Sequence, residues 1–221
     1  WPDSNRNTDL WRIEVTAENA QPEQLTNATY ADSNPVLSPD GKRIAYRSNV
    51  SDGLPVYAIP QLSMLDLATG ESRLVESLAE VQVWGLRFSA DGDSLFAIAE
   101  YHGEQQLIKV DVASGDFERV IGEEDIVTEF DMSPDGQVYA IVARPQSPRG
   151  IYRLEGESLQ PFEIVNRALM ADLATGSVEK HSYTAEDGTV RDTFVVLPPN
   201  YEEGQRYPGI LHTHGGPGAQ W

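Results

Sequence analysis

Short apolar runs alternate with polar turns along most of the chain, and the alternation repeats. Three stretches follow one pattern: Ser33-Asn34-Pro35-Val36-Leu37-Ser38-Pro39-Asp40-Gly41-Lys42-Arg43-Ile44-Ala45-Tyr46, then Gly85 to Ile98, then Thr128 to Ile141. Each holds a short apolar strand, a Ser-Pro-Asp-Gly or Ser-Ala-Asp-Gly turn and a second apolar strand. Runs of this length bounded by turn residues predict strands. Asp-Gly accepts the positive φ of a tight hairpin, and the proline presets its own φ for the turn. The turns begin at Ser38, Ser89 and Ser133, a period of about fifty and then about forty-four residues, in the range of propeller blades.

A second hairpin follows each copy. Leu62 to Leu67 turns at Ala68-Thr69-Gly70-Glu71 into Ser72 to Val75. Gln106 to Val112 turns at Ala113-Ser114-Gly115-Asp116 into Phe117 to Val120. Gly150 to Leu154 turns at Glu155-Gly156-Glu157-Ser158 into Leu159 to Phe162. Two hairpins per repeat make a four-stranded antiparallel blade. Asp9 to Val15 with Glu23 to Thr26 supplies only the second hairpin of an earlier blade. The expected fold class is therefore mainly β, with about three and a half blades over residues 1–163. Since a propeller ring needs about four to eight blades, the expectation is that further blades precede Trp1. The turn serines and aspartates are read as fold determinants and are assigned no chemistry.

The pattern changes after Phe162. Apolar residues at Val165, Leu169, Met170 and Leu173 have helical spacing within Ile164 to Leu173, and Gly176 is a stop signal. Residues 164–177 thus read as a hinge helix and linker. Val178 to Thr184 alternates, turns at Glu186-Asp187-Gly188 and returns as Val190 to Leu197, ending at Pro198-Pro199. A polar loop from Asn200 to Arg206 leads to Tyr207-Pro208-Gly209-Ile210-Leu211-His212-Thr213-His214, read as a third strand. It runs into Gly215-Gly216-Pro217-Gly218. Residues 178–221 are the expected start of a second domain.

Glycines before a proline let a backbone turn sharply with its amides bare. Serine hydrolases of the α/β type use such a loop for half of an oxyanion hole; an ordinary strand-to-helix turn is the alternative reading of the same residues. Composition narrows the field of partners. The chain carries 35 acidic against 16 basic side chains, a formal net charge of −19. That surface repels phosphate backbones and anionic lipids, so neither nucleic acid nor a membrane is expected as partner. The chain has no cysteine, which excludes disulfides and thiolate metal sites. The compartment is left open, since any signal peptide would precede residue 1, and homo-oligomerisation is left open too.

Taken in order, these residues resemble the prolyl oligopeptidase family of serine peptidases, in which a β-propeller caps an α/β-hydrolase domain. The resemblance rests on the Ser-Pro-Asp-Gly repeats, Asn166-Arg167-Ala168-Leu169 between the domains, Asp187-Gly188-Thr189, Leu197-Pro198-Pro199, Tyr207-Pro208 and His214-Gly215-Gly216-Pro217. The acylaminoacyl-peptidase and dipeptidyl-aminopeptidase-like branch is the nearest in flavour. The resemblance implies that the Gly216 N–H binds the oxyanion, with Gly215 and His214 supporting the loop. It implies an oligopeptide substrate, access gated by the propeller, and no metal or organic cofactor.

The chain departs from a complete enzyme of this kind. It has no Gly-x-Ser-x-Gly, and none of its histidines (His102, His181, His212, His214) follows a nucleophile and an acid in chain order. The expectation is that the triad lies beyond Trp221 and that residues 1–221 alone are inactive. Some members hold the substrate's amino terminus with a glutamate pair on the propeller; Glu123-Glu124 and Glu202-Glu203 read as plain loop charges. Two alternatives remain: a propeller that binds a partner without catalysis, or another α/β hydrolase such as an esterase or proline iminopeptidase.

Overall fold

The computed structural model describes residues 7–29, 31–49, 58–79, 81–123 and 125–213. Its first elements are β1 (Trp11–Arg12) and β2 (Glu23–Gln24), two-residue strands paired with each other. Three four-stranded antiparallel sheets follow. The first holds β3 (Asp32–Leu37), β4 (Arg43–Ser48), β5 (Gln61–Asp66) and β6 (Ser72–Leu74). The second holds β7 (Gln82–Phe88), β8 (Ser94–Tyr101), β9 (Glu104–Asp111) and β10 (Phe117–Ile121). The third holds β11 (Ile126–Met132), β12 (Val138–Arg144), β13 (Ser147–Glu155) and β14 (Ser158–Ile164). Within each sheet the strands lie side by side in chain order, so the repeat read from the sequence is a set of three propeller blades.

Period-two alternation explains how the blades stack, because successive side chains of a strand point to opposite faces of its sheet. On β8, Leu95, Ala97 and Ala99 face one way and join Ala45, Leu62, Met64 and Leu78 of the first blade. Phe96 and Ile98 face the other way and join Val127, Val138, Ala140 and Val142 of the third. The middle blade is thus buried on both faces. A smaller cluster of Leu10, Ile44, Tyr46 and Leu65 seats the first segment on the first blade. Among the described residues no packing cluster joins the first blade to the third, so the blades form no closed ring.

The repeated turns are tied internally. In the first, Ser38 Oγ donates to Asp40 Oδ1 at 2.6 Å, Asp40 Oδ1 also accepts from Lys42 N–H at 3.1 Å, and Ser38 Oγ accepts from Arg43 N–H at 2.9 Å. Ser89 Oγ donates to Asp91 Oδ1 at 2.6 Å, and Ser133 Oγ donates in the same way to Asp135 Oδ1. The glycines that follow, Gly41, Gly92 and Gly136, have φ of 70°, 78° and 84°. The serine hydroxyl is the largest influence holding each of these three carboxyls below the usual carboxylate range.

Two expected elements differ. The helix read over Ile164 to Leu173 is only α1 (Arg167–Ala171). Ile164 is instead the last residue of β14, paired with Gly150. A ladder to an existing strand is worth more to that residue than the costly first turn of a short helix. The second difference is the strand read over Tyr207 to His214: residues 207–213 form none. Ile210 and Leu211 are 95% and 89% exposed. No strand among the described residues pairs with this segment, and an unpaired strand leaves its N–H and C=O groups unmatched.

Candidate active site

The approach to the glycine loop begins with the hairpin of β15 (Val178–Thr184) and β16 (Val190–Val196), in the register Thr184 opposite Val190 through Val178 opposite Val196. Its turn is the expected Glu186-Asp187-Gly188, with Thr189 N–H donating to Asp187 Oδ1 at 3.0 Å. β16 leaves the hairpin at Leu197, whose N–H donates to Ser177 O at 2.9 Å. Pro198 and Pro199 then end the ladder, since neither has an N–H to give it.

The next residues fold back on themselves. Tyr201 N–H donates to Pro198 O at 3.2 Å and Gln205 N–H to Glu202 O at 3.2 Å. Glu202 N–H donates to Tyr207 Oη at 3.0 Å, and the Tyr201 and Tyr207 rings lie 5.3 Å apart, tilted by 37°. The loop from 200 to 207 is therefore clasped by a tyrosine at its end, one residue before the segment that feeds the glycines. His214, Gly215 and Gly216 lie outside the described residues.

Of the other histidines, His102 and His181 sit apart from this approach. His212 is in the exposed segment after the clasped loop. His181 lies on β15, 3.1 Å from Glu179. His102 has φ of 51° in the β8–β9 turn, and its Nδ1 is 3.4 Å from Asp192 Oδ2 on β16. Ser182 Oγ donates to Asp192 Oδ1 at 2.5 Å. This places a serine, an aspartate and a histidine in one cluster, but in the wrong order for nucleophilic catalysis. A nucleophilic hydroxyl must give its proton to the imidazole, with the carboxylate behind the ring; here hydroxyl and ring both face the carboxylate. No sequence motif joins these residues, and only a fold that brings residue 102 beside residue 192 shows the cluster.

The blades carry an acidic cleft of about 530 Å³, bordered by Glu118, Glu123, Asp125 and Glu157 together with Arg119. Arg119 pairs with Glu123 at 2.8 Å, and Arg144 with Asp125 at 2.5 Å. Glu124 lies outside the described residues, and Glu202 and Glu203 are exposed in the clasped loop. Among the described residues no group of three or more His, Asp or Glu is arranged to hold a metal ion.

No protein-family model matches the chain. Dipeptidyl-peptidase 5 of Porphyromonas gingivalis is 28% identical over 191 residues, covering 84% of this chain and 27% of that protein. Acylaminoacyl peptidase of Pyrococcus horikoshii superposes with a TM-score of 0.67 at 14% identity, over 87% of this chain and 28% of that one. TolB of Acinetobacter baumannii superposes with a TM-score of 0.52 at 23% identity, over 82% of this chain and 41% of that one. The two structural likenesses establish the blade fold. The chain spans between about a quarter and a third of the length of the curated relatives it matches.

Proposed function

We propose, for a chain that belongs with the prolyl oligopeptidase family of peptidases, that it is part of a serine peptidase cutting oligopeptides through an acyl-enzyme. The observation that carries this reading is the order of the parts. Three blades lead through a short linker into a separate hairpin, then a clasped loop, then His214-Gly215-Gly216-Pro217. A propeller that only bound a partner would account for the blades and leave everything after residue 177 without a role. Another α/β hydrolase would account for the glycine loop and leave the blades without one.

In the proposed reaction a serine oxygen from beyond residue 221 attacks the peptide carbonyl carbon while a histidine takes the hydroxyl proton. The carbonyl oxygen becomes an oxyanion and accepts a hydrogen bond from the Gly216 N–H, with a second donor near the nucleophile. The histidine then gives its proton to the departing amine, and water releases the acyl group by the same steps. One preorganised donor of this kind contributes about 3 kcal/mol to lowering the barrier. His214 and Gly215 hold the loop so that the donor is fixed before charge develops. The blades screen the site, so that extended oligopeptides enter and folded proteins do not.

The test compares residues 1–221 with the longer product of the parent gene, each incubated with a fluorophosphonate probe and with chromogenic dipeptide and acyl-aminoacyl substrates. The expected result is labelling and turnover by the longer protein alone, with the labelled serine after residue 221. Turnover by the 221-residue chain, or a longer protein that neither labels nor hydrolyses, overturns the proposal.

A further inference from the structure

The first segment and the first blade enclose a polar cavity of about 460 Å³. Gln24, Thr26 and Asn27 line it from the segment, and Asp32 on β3, Tyr46 on β4 and Ser72 on β6 line it from the blade. Asp32 is 2% exposed and Tyr46 3%. Ser48 Oγ donates to Asp32 Oδ1 at 2.6 Å. Asp32 Oδ2 is closed off from solvent, yet among the described residues it accepts no hydrogen bond. Donors around it are engaged elsewhere. Gln24 Nε2 gives its hydrogens to Thr26 O at 2.9 Å and to Asp9 Oδ2 at 3.1 Å. The Tyr46 hydroxyl shares hydrogen bonds with the hydroxyls of Ser72 and Ser63.

An acceptor left unmatched inside a fold costs its full desolvation, and more when it carries charge. A positive group at Oδ2 removes that cost, and the surroundings say which kind. The neighbouring wall atoms are hydroxyl, amide and carbonyl oxygens, the ligands that hard cations take. A bare cation also sits nearer to an oxygen than a hydrogen-bonded water does, which suits an atom that solvent does not reach. Among the described residues of the wall, Asp32 is the one carboxylate, whereas calcium sites gather about six to eight oxygens, several of them from carboxylates. Burial above all, against the pull of Ser72 and with the Asp32 charge added, holds the Tyr46 hydroxyl above its usual pKa, so this oxygen enters as a neutral ligand. We propose that the cavity is a site for one hard monovalent cation of the sodium class, held by Asp32 Oδ2, with the Tyr46 hydroxyl and the Thr26 and Ser72 oxygens completing its shell. The bound cation fastens the first segment to the first blade. The inference does not rest on the peptidase reading.

The test is thermal unfolding of the purified chain in chloride salts of sodium, potassium and the bulky cation N-methylglucammonium, matched in ionic strength. Screening of the net charge of −19 is then the same in all three, so a difference between them reports a site and not the surface. Sodium is expected to raise the midpoint over the bulky cation by about 2–6 °C at tenfold excess over its dissociation constant, with saturation beyond that. Potassium gives a smaller rise. Asp32→Asn abolishes the difference, while Glu157→Gln, the same charge change at an exposed position outside the cavity, keeps it. A second readout needs no variant and decides the matter if Asp32→Asn does not fold: the unmodified protein broadens the sodium NMR resonance, and excess potassium, but not the bulky cation, narrows it again. Equal midpoints in the three salts, or a sodium resonance that the protein does not broaden, overturn the site. A sodium effect that Asp32→Asn leaves intact overturns its placement at this carboxylate. A larger rise with calcium at the same ionic strength overturns the single charge.

Discussion

The pentapeptide Asp-Leu-Ala-Thr-Gly occurs twice, at residues 66–70 and 172–176, and the two copies fold differently. In the first blade Asp66 Oδ1 accepts from Ala68 N–H at 2.8 Å and Thr69 N–H at 3.0 Å, while Gly70 N–H donates to Asp66 O at 2.8 Å. Gly70 has φ of 73° and open space around it. In the linker, Asp172 ends α1 with its N–H bonded to Leu169 O, and no hairpin forms. A Cβ on Gly176 would lie 1.8 Å from the Leu197 carbonyl oxygen. One glycine is needed for its backbone conformation and the other for space. The difference comes from the flanks: β5 and β6 bring the ends of the first copy together, whereas a helix and the start of β15 pull the ends of the second apart. Local sequence offers a turn, and tertiary pairing decides whether it is used.

The same contrast separates the blades from the β15–β16 hairpin, and substitutions can widen or erase it. The largest effect belongs to the middle blade. Leu107 is fully buried between the second and third blades, and Leu107→Ala should lower stability by about 2–5 kcal/mol in urea unfolding. Phe194→Ala on the exposed hairpin should change it by no more than about 0.5 kcal/mol. Equal losses at the two sites would contradict the picture of a packed propeller beside an uncovered hairpin.

Gly176→Ala comes next, at about 2–3 kcal/mol from overpacking against backbone that cannot swing aside. The loss should appear as faster amide exchange at Leu197, whose bond to Ser177 closes the hairpin. Gly70→Ala should cost only about 1 kcal/mol, the penalty of a left-handed backbone with room for the methyl group. A reversed ranking would mean that the two copies do not differ as described.

The smallest effect is a pH dependence. Amide hydrogen bonds, first from Thr69 and then from Ala68, hold the Asp66 carboxyl below its usual value. A carboxyl whose folded pKa is depressed gives stability that is complete above the unfolded value, near pH 3.9, and is lost as pH falls through the folded value. The stability of the chain should therefore decline on acidification below about pH 4, and Asp66→Asn should flatten that decline slightly. A steeper decline in Asp66→Asn would contradict this assignment.

Much of this architecture is legible in the sequence because blades are built from local hairpins. Each Ser-Pro-Asp-Gly turn joins strands a few residues apart, so periodicity and turn chemistry suffice to place β3 with β4 and β11 with β12. The serine–aspartate pair within each turn is a finer feature that the residue pattern contains but does not announce. Other features depend on contacts distant in sequence. Ile164 has helical neighbours, yet it pairs with Gly150. Ile210 and Leu211 look like a buried strand, yet among the described residues nothing pairs with them. Lys180, His102 and Asp192 carry no motif, and only the approach of the hairpin to the middle blade unites them. The glycine loop is the opposite case: its chemistry is read from residue types alone, and its geometry lies outside the described residues.

The claim that matters most is that the Gly216 N–H receives the oxyanion. It is tested most directly by a crystal structure of the longer protein carrying a peptide boronate, whose tetrahedral oxygen stands in for the oxyanion. The account predicts that oxygen about 2.7–3.1 Å from the Gly216 nitrogen, with the boron bonded to a serine beyond residue 221. A boronate oxygen held by other groups, with the Gly216 amide turned away from it, would contradict the account.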